Sequence, residues 1–233
     1  MTESSSALMS DQGQDPAYTQ AVIDLLGAIA YGELSAFERL AEDAKLAPTI
    51  EDKVAIGSMA VAEFGHLQRL LERLTELGAD PYLAMQSFKQ GFDSFHAHTR
   101  PADWFEGLIK AYVGDGLAAD FYREIAAYLD SETRDLIVAA LADAGNSRFV
   151  VERVRTGIAQ DPRLGGRLAL WGRRLMGEAL TQAQRVAAER DALSALLAGG
   201  VDRPGLDLAA LSRMFTRLTE NHAQRMADLG LDA

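Results

Sequence analysis

Glu63-Phe64-Gly65-His66 lies in the middle of a long segment with the apolar spacing of a helix. At spacing i, i+3 the carboxylate and the imidazole share one helix face. Because charged groups in a protein core need a partner or a metal ion, the segment predicts a polar site on the buried side of a helix. The apolar residues in phase with the pair, which turn that face toward a core, are Ile56, Met59, Ala60, Leu67 and Leu70.

The same helical spacing extends over nearly the whole chain, and no segment has the alternation of a strand. The first four long segments form two hairpins across a longer, partly helical connection at about 82–98. This order predicts an all-α fold, a four-helix bundle with one crossover connection and two additional C-terminal helices. The long segments are about 16–45, 49–77, 102–129, 131–160, 163–197 and 206–229.

Composition limits the class of protein. A length of 233 residues suits one domain, here 16–233, after a polar and small-residue stretch at 1–15 that predicts a disordered N-terminal tail. The absence of cysteine excludes disulfides, thiolate metal sites and cysteine nucleophiles. A metal would therefore be bound by carboxylates and imidazoles, which suit iron, manganese or zinc.

Charge and hydropathy also limit the partners. The formal net charge of −11 disfavours broad attraction to nucleic acid or to anionic membranes. The N-terminus has neither the basic nor the apolar region of a signal peptide, and no uncharged stretch is long enough to span a bilayer. We expect a cytoplasmic protein without a membrane partner.

A repeat makes the opening motif more specific. Residues 31–38 and 113–120 can be aligned so that a glycine precedes a carboxylate in each, which places Glu33 and Asp115 at equivalent positions in apolar stripes. Glu63 lies 30 positions after Glu33, and Asp143 lies 28 positions after Asp115. Asp143-Ala-Gly-Asn146 then stands where Glu63-Phe-Gly-His66 stands in the first half. The repeat predicts a two-fold site with inward-facing carboxylates.

This plan resembles that of the ferritin-like di-iron carboxylate superfamily, in which two helices each supply a Glu and two others each supply Glu-x-x-His. The segments Leu168-Ala-Leu-Trp-Gly-Arg-Arg-Leu and Gly177-Glu-Ala-Leu-Thr-Gln-Ala-Gln resemble actinobacterial proteins similar to the tRNA hydroxylase of 2-methylthio-isopentenyl-adenosine. The resemblance covers roughly residues 16–197. It implies the following metal ligands: Glu33 as a terminal ligand, Glu63 as a bridging ligand and His66 as a capping ligand of a first metal, and Asp115 and Asp143 for a second.

Asn146 departs from the family pattern, which has histidine there. An amide is a weaker ligand than an imidazole, so Asn146 would be a weak ligand or would donate a hydrogen bond to another ligand, and aspartate reaches one methylene less far than glutamate. The resemblance implies a non-haem iron oxidoreductase of the monooxygenase or hydroxylase type, with one or two iron ions, manganese as the other candidate metal, and a tRNA nucleoside or another small molecule as substrate. The alternative is a non-catalytic ferritin-like scaffold or partner-binding protein with a degenerate metal site. We expect a homodimer.

Two further features leave a choice open. His96 and His98 are either additional ligands or, as their polar, proline-terminated segment favours, part of a solvated loop. Six arginines on the fifth long helix form either a phosphate-binding face for tRNA or a solvated or dimer-forming face neutralised by neighbouring acids, which the acidic net charge favours. They are Arg163, Arg167, Arg173, Arg174, Arg185 and Arg190.

Overall fold

The computed structural model describes residues 16–141, 146–191, 193–194 and 208–233. Among these residues there is no strand, so the all-α prediction is confirmed. The tail predicted at 1–15 lies outside the described residues. The helices are α1 (Pro16–Asp43), α2 (Ile50–Glu76), α3 (Pro81–Gln86), α4 (Lys89–His98), α5 (Trp104–Ile109), a π turn (Lys110–Gly114), α6 (Asp115–Ala126), α7 (Ser131–Ala140), α8 (Asn146–Gln160), α9 (Arg163–Glu189) and α10 (Leu208–Asp228).

The first hairpin is built from α1 and α2, which share the most extensive helix contact of the described part. Thr49 caps α2, because its hydroxyl accepts a hydrogen bond from the Asp52 backbone N–H at 3.0 Å. Gly78 follows the C-terminus of α2 with a φ of 75°, a left-handed conformation that glycine adopts without strain. Asp80 then caps α3, which has Pro81 at its first position. The predicted crossover is therefore helical, as α3 and α4.

The third long helix is continuous from α5 through the π turn to α6. A π turn adds one residue to a helical turn and changes the phase of every side chain that follows it. The prediction of an unbroken α-helix over this segment is therefore wrong at residues 110–114. The fourth predicted helix is described as two helices, α7 and α8, because α7 ends at Leu141 with a non-helical ψ of 12°.

The core consists of two apolar clusters. One lies around the N-terminal half of α1, the C-terminal half of α2, and α3, α6 and α7. The other lies around Leu40 of α1, the N-terminal half of α2, and α5, α8, α9 and the end of α10. α9 is fixed to α5 by Trp171, whose indole N–H donates to the Glu106 carbonyl at 3.0 Å. Between the two clusters, α1 and α2 carry polar residues, and the candidate site lies there.

None of the described helices combines the length with the apolar character that a membrane crossing requires.

Candidate metal centre

The predicted first half-site assembles between α1 and α2. Because the two helices run antiparallel, residues near the middle of one lie at the level of residues near the middle of the other. Glu33 is thereby placed beside Glu63 and His66, which are one turn apart on α2. One ligand atom of each residue lies within 4.8 Å of the ligand atoms of the other two. Glu63 and His66 of α2 thus lie beside Glu33 of α1, as predicted.

The three side chains are withdrawn from solvent to different degrees. Glu33 and Glu63 are 7% and 8% exposed, and His66 is half-buried. Nδ1 of His66 lies 3.4 Å from Oε2 of Glu33 and 3.8 Å from Oε2 of Glu63. Neither contact has the geometry of a full hydrogen bond, and Oε2 of Glu33 is buried with no hydrogen-bond partner. A buried carboxylate oxygen in that state is costly unless another group binds it.

Protonation follows from this arrangement. Burial, together with the proximity of Glu63 and Asp115, raises the pKa of Glu33 to about 9. Contacts with the carboxyls of Glu33 and Glu63 outweigh desolvation and raise the pKa of His66 to about 9. Burial opposes ionisation of Glu63, yet its contacts with His66 and Glu33 outweigh burial and lower its pKa. At pH 7 without metal, the group is a neutral Glu33 beside a Glu63–His66 ion pair.

Of the predicted second half-site, only Asp115 has a described side chain. Asp115 is exposed and does not join the ligand atoms of Glu33, Glu63 and His66, so it does not face the core as predicted, and its assignment to a second metal stays a prediction. The π turn gives the physical reason, since it separates Asp115 in phase from the apolar positions before it. Asp115 nevertheless lies close enough to the first half-site for its charge to contribute to the raised pKa of Glu33.

The remaining two predicted ligands are not placed. Asp143 lies outside the described residues, and Asn146 begins α8 with a side chain that is not described. Their assignment to a metal therefore stays a prediction.

The two glycines of the repeat also differ. A Cβ on Gly32 would lie 3.2 Å from the Phe92 ring and 3.6 Å from the Tyr122 hydroxyl, so this glycine allows both side chains to approach α1 beside Glu33. A Cβ on Gly114 would meet nothing within 4 Å. Burial, with Glu33 and Asp115 nearby, raises the pKa of Tyr122, which therefore stays a neutral phenol next to the site. No sequence pattern identified Tyr122 as a neighbour of the site.

Comparison with known proteins agrees with this fold. The model of a family described as "Ferritin-like domain, actinomycetes" matches residues 16–200. The chain belongs to this ferritin-like family. No curated protein matches it. The family match covers both halves of the predicted repeat and the whole of α9.

The donor set of this ferritin-like protein suits a metal ion. Two carboxylates and one imidazole are the ligands preferred by iron, manganese and zinc, and Oε2 of Glu33, which has no hydrogen-bond partner, is an atom that a cation would satisfy. Three protein ligands leave further coordination positions for water or a substrate. The Glu33, Glu63 and His66 group, here called the triad, can therefore hold one metal ion.

The other histidines differ from their predicted settings. His96 and His98 lie in α4 and not in a solvated loop. His96 is half-buried, its Nδ1 has no hydrogen-bond partner, and burial together with Lys110 and Arg39 lowers its pKa to about 3. His98 is exposed, with Nδ1 3.6 Å from Glu178. Neither belongs to the triad.

Four of the six predicted arginines contact other parts of the chain, and the choice between the two predicted roles stays open. Arg167 pairs with Glu106 and Asp103, each at 2.6 Å. Arg173, Arg174 and Arg190 donate to backbone carbonyls elsewhere in the chain. These guanidinium groups thus tie α9 to its neighbours, which reduces their capacity to bind phosphates.

Proposed function

We propose that the protein is a non-haem metal oxidoreductase of the hydroxylase type, with Glu33, Glu63 and His66 holding an iron ion. The observation that carries the proposal is the buried Oε2 of Glu33, which no hydrogen bond satisfies, inside a group whose ligand atoms lie within 4.8 Å of one another. A structural hydrogen-bonded cluster would satisfy that atom from within the protein. A cation satisfies it and also removes the cost of bringing two carboxyls together.

Bound iron would supply the capacity to reduce dioxygen and to oxidise a C–H bond. The chain's own contribution is to hold and shield the site. Glu33 and Glu63 offset the charge of a divalent cation, and His66 completes the donor set from the next turn of α2. The apolar clusters above and below the triad limit access of water along the bundle. Tyr122 places a neutral phenol O–H near Glu33, where it could donate a hydrogen bond to a substrate.

The test is anaerobic loading of the reduced protein with Fe(II), followed by removal of free metal and elemental analysis. About one tightly bound iron per chain is expected from the triad alone, and two if the residues of the second half also bind. Glu33→Gln and His66→Gln should each abolish stoichiometric binding, whereas Glu72→Gln, an exposed glutamate on the same helix, should not. Wild-type protein without bound iron under these conditions would refute the proposal.

The alternative is a ferritin-like scaffold with a degenerate site. It is favoured by the exposed position of Asp115 and by Asn146, which stands where the family pattern has histidine. Asn146→His separates the two. A large gain in metal occupancy indicates a vestigial second half, and unchanged full occupancy indicates that Asn146 already belongs to a working site.

The substrate class is the next part of the proposal. The resemblance implies a tRNA nucleoside, but the net charge of −11 and the internal pairing of the α9 arginines favour a small molecule over intact tRNA. Retention of bulk tRNA at low salt, with release at high salt, would reverse that preference.

A homodimer also remains a proposal. The outer face of α2 is exposed and carries no charge from Val54 to Gly65, so a second copy could cover it without burying an unpaired charge. Its exposed apolar residues are Ile50, Val54, Val61 and Phe64. Val61→Glu should convert a dimer to a monomer in sedimentation equilibrium, and a wild-type monomer at all concentrations would refute the dimer.

A further inference from the structure

A second polar site lies on the opposite side of α1 from the triad. It is a cleft of about 1330 Å³ between α1, α3, α4 and the segment that leads into α5. No triad residue lines it. The volume exceeds the 300–1,000 Å³ usual for small-molecule pockets, so a small ligand would fill only part of it.

Lys110 is the most unusual residue of the cleft. It begins the π turn, a feature frequent at functional sites, and is 6% exposed. Its ammonium donates to the Thr99 carbonyl at 2.8 Å and lies 5.6 Å from the centre of the Phe95 ring. Within the described ranges, no carboxylate lies within ion-pair distance of it, so this buried cation has no direct ion pair. Such a charge is costly unless an anion binds it.

Two neighbouring ring or guanidinium nitrogens of the cleft also lack a hydrogen-bond partner. Nε of Arg39 and Nδ1 of His96 are buried without hydrogen-bond partners, and both residues line the cleft with Lys110. Arg39 and Lys110 both lower the pKa of His96, so the three basic side chains are close together. Asp43 is an acid of the cleft whose charge interacts with Lys110; burial raises its pKa to about 6, which leaves it ionised at pH 7, but it makes no direct ion pair with the ammonium.

Lysine usage sets this cleft apart from the remaining surface. The chain has four lysines among 23 basic residues, and three of the four line the cleft. The cleft wall carries five Lys or Arg side chains against four Asp or Glu, whereas the whole chain has 23 against 34. An anionic ligand is therefore repelled less here than elsewhere on this acidic protein.

We propose that the cleft binds a small organic carboxylate, whose charged group pairs with Lys110 and accepts a hydrogen bond from Arg39. One ammonium and one guanidinium N–H match the two oxygens of a carboxylate better than the three of a phosphate. Tyr31, Leu34, Tyr82 and Met85 provide apolar and aromatic surface for the rest of the ligand. The site does not depend on the triad or on metal.

The test uses dansylglycine, a fluorescent carboxylate, and dansylglycinamide, which has the same body without the charge. The wild-type chain should bind dansylglycine about ten-fold or more tightly than the amide, as expected for one charge-assisted contact out of water. Lys110→Met should remove this preference, whereas Lys53→Met, at an exposed lysine on α2 outside the cleft, should preserve it. Equal binding of the two probes, or no binding, overturns the proposal.

Folding of the variant is a separate check. Because Lys110 makes no direct ion pair among the described residues, Lys110→Met should unfold at the wild-type temperature or above it. A second measurement uses the unaltered chain: dansylglycine should slow reductive methylation of Lys110 relative to Lys53, as read by peptide mass spectrometry. Protection of neither lysine, or of both equally, counts against a site at Lys110.

Discussion

Replacement of Glu33 by glutamine tests the physical state of the triad most directly. Glu33 is ionised in the unfolded chain at pH 7, where its pKa is near 4.5, but neutral in the metal-free folded chain, where burial and nearby carboxyls raise the pKa to about 9. One pKa unit corresponds to about 1.4 kcal/mol. The proton uptake on folding therefore costs about 3 kcal/mol at pH 7. Glutamine has nearly the same shape and does not incur this cost.

The sign and pH window follow from the raised pKa. The contribution of Glu33 to the free energy of unfolding is therefore greatest below pH 4.5, and it falls as the pH rises toward 9. Metal-free Glu33→Gln should therefore match the wild type near pH 4 and exceed it at pH 7, by up to about 3 kcal/mol. Urea unfolding at both pH values, in chelator, measures the difference. Glu72→Gln, at an exposed position of α2, should change stability by no more than about 0.5 kcal/mol.

Bound metal should make the wild type more stable than Glu33→Gln, the reverse of the order without metal. A divalent ion at 100 times its dissociation constant stabilises the folded chain that binds it by about 2.7 kcal/mol. Mn(II), which resists oxidation in air, should raise the stability of the wild type and leave Glu33→Gln unchanged. A variant that is less stable than wild type without metal, with a difference independent of pH, would show that Glu33 belongs to a structural hydrogen-bonded network.

Three further outcomes follow from the geometry. Gly27→Ala should destabilise the fold by about 1–3 kcal/mol, because its Cβ would lie 2.8 Å from a backbone carbonyl oxygen of α3, whereas Gly65→Ala, with open space around it, should stabilise by about 0.5–1 kcal/mol in thermal unfolding. Thr49→Ala should cost about 1 kcal/mol through loss of the α2 cap, and Thr75→Ala, whose hydroxyl only bonds back to its own helix, should cost less. Metal affinity of the triad should rise with pH between 7 and 9, since Glu33 and His66 must each lose a proton, and calorimetry in buffers of different ionisation enthalpy should detect proton release.

The residues of the triad could be predicted from the sequence because each one interrupts an apolar stripe of a regular helix. Glu63 and His66 could be found because two polar side chains interrupt a regular apolar stripe, and Glu33 because the stripe on α1 has the same interruption. Helical periodicity alone locates such residues when the helix is regular. It also explains why α1, α2 and the helical crossover were predicted correctly.

Asp115 was misplaced for a reason that periodicity cannot detect. Its apolar neighbours before and after residues 110–114 share a stripe only if the helix has 3.6 residues per turn throughout, and the π turn removes that condition. The glycine and proline pattern around residues 110–114 did not predict a π turn. The one available signal was Lys110 itself, a rare lysine that directly follows the apolar pair Leu108 and Ile109.

The cleft was missed because its residues are distant in sequence and ordinary one by one. Asp43 closes α1, His96 lies in α4 and Lys110 lies in the π turn, so only the packing of three elements brings them together. A count of lysines against arginines would have marked Lys110 as unusual, but not its neighbours.

The polar level between the two apolar clusters has a consequence for how the molecule opens. α1, α2 and α6 contribute to both clusters, whereas α7 packs in one cluster and α8 in the other. Without metal, the triad is a weak junction between two regions that can unfold separately, and a cation bound to both helices would join them. Amide exchange of α7 and α8 should therefore proceed at independent rates in the metal-free protein and become correlated once the ion is bound.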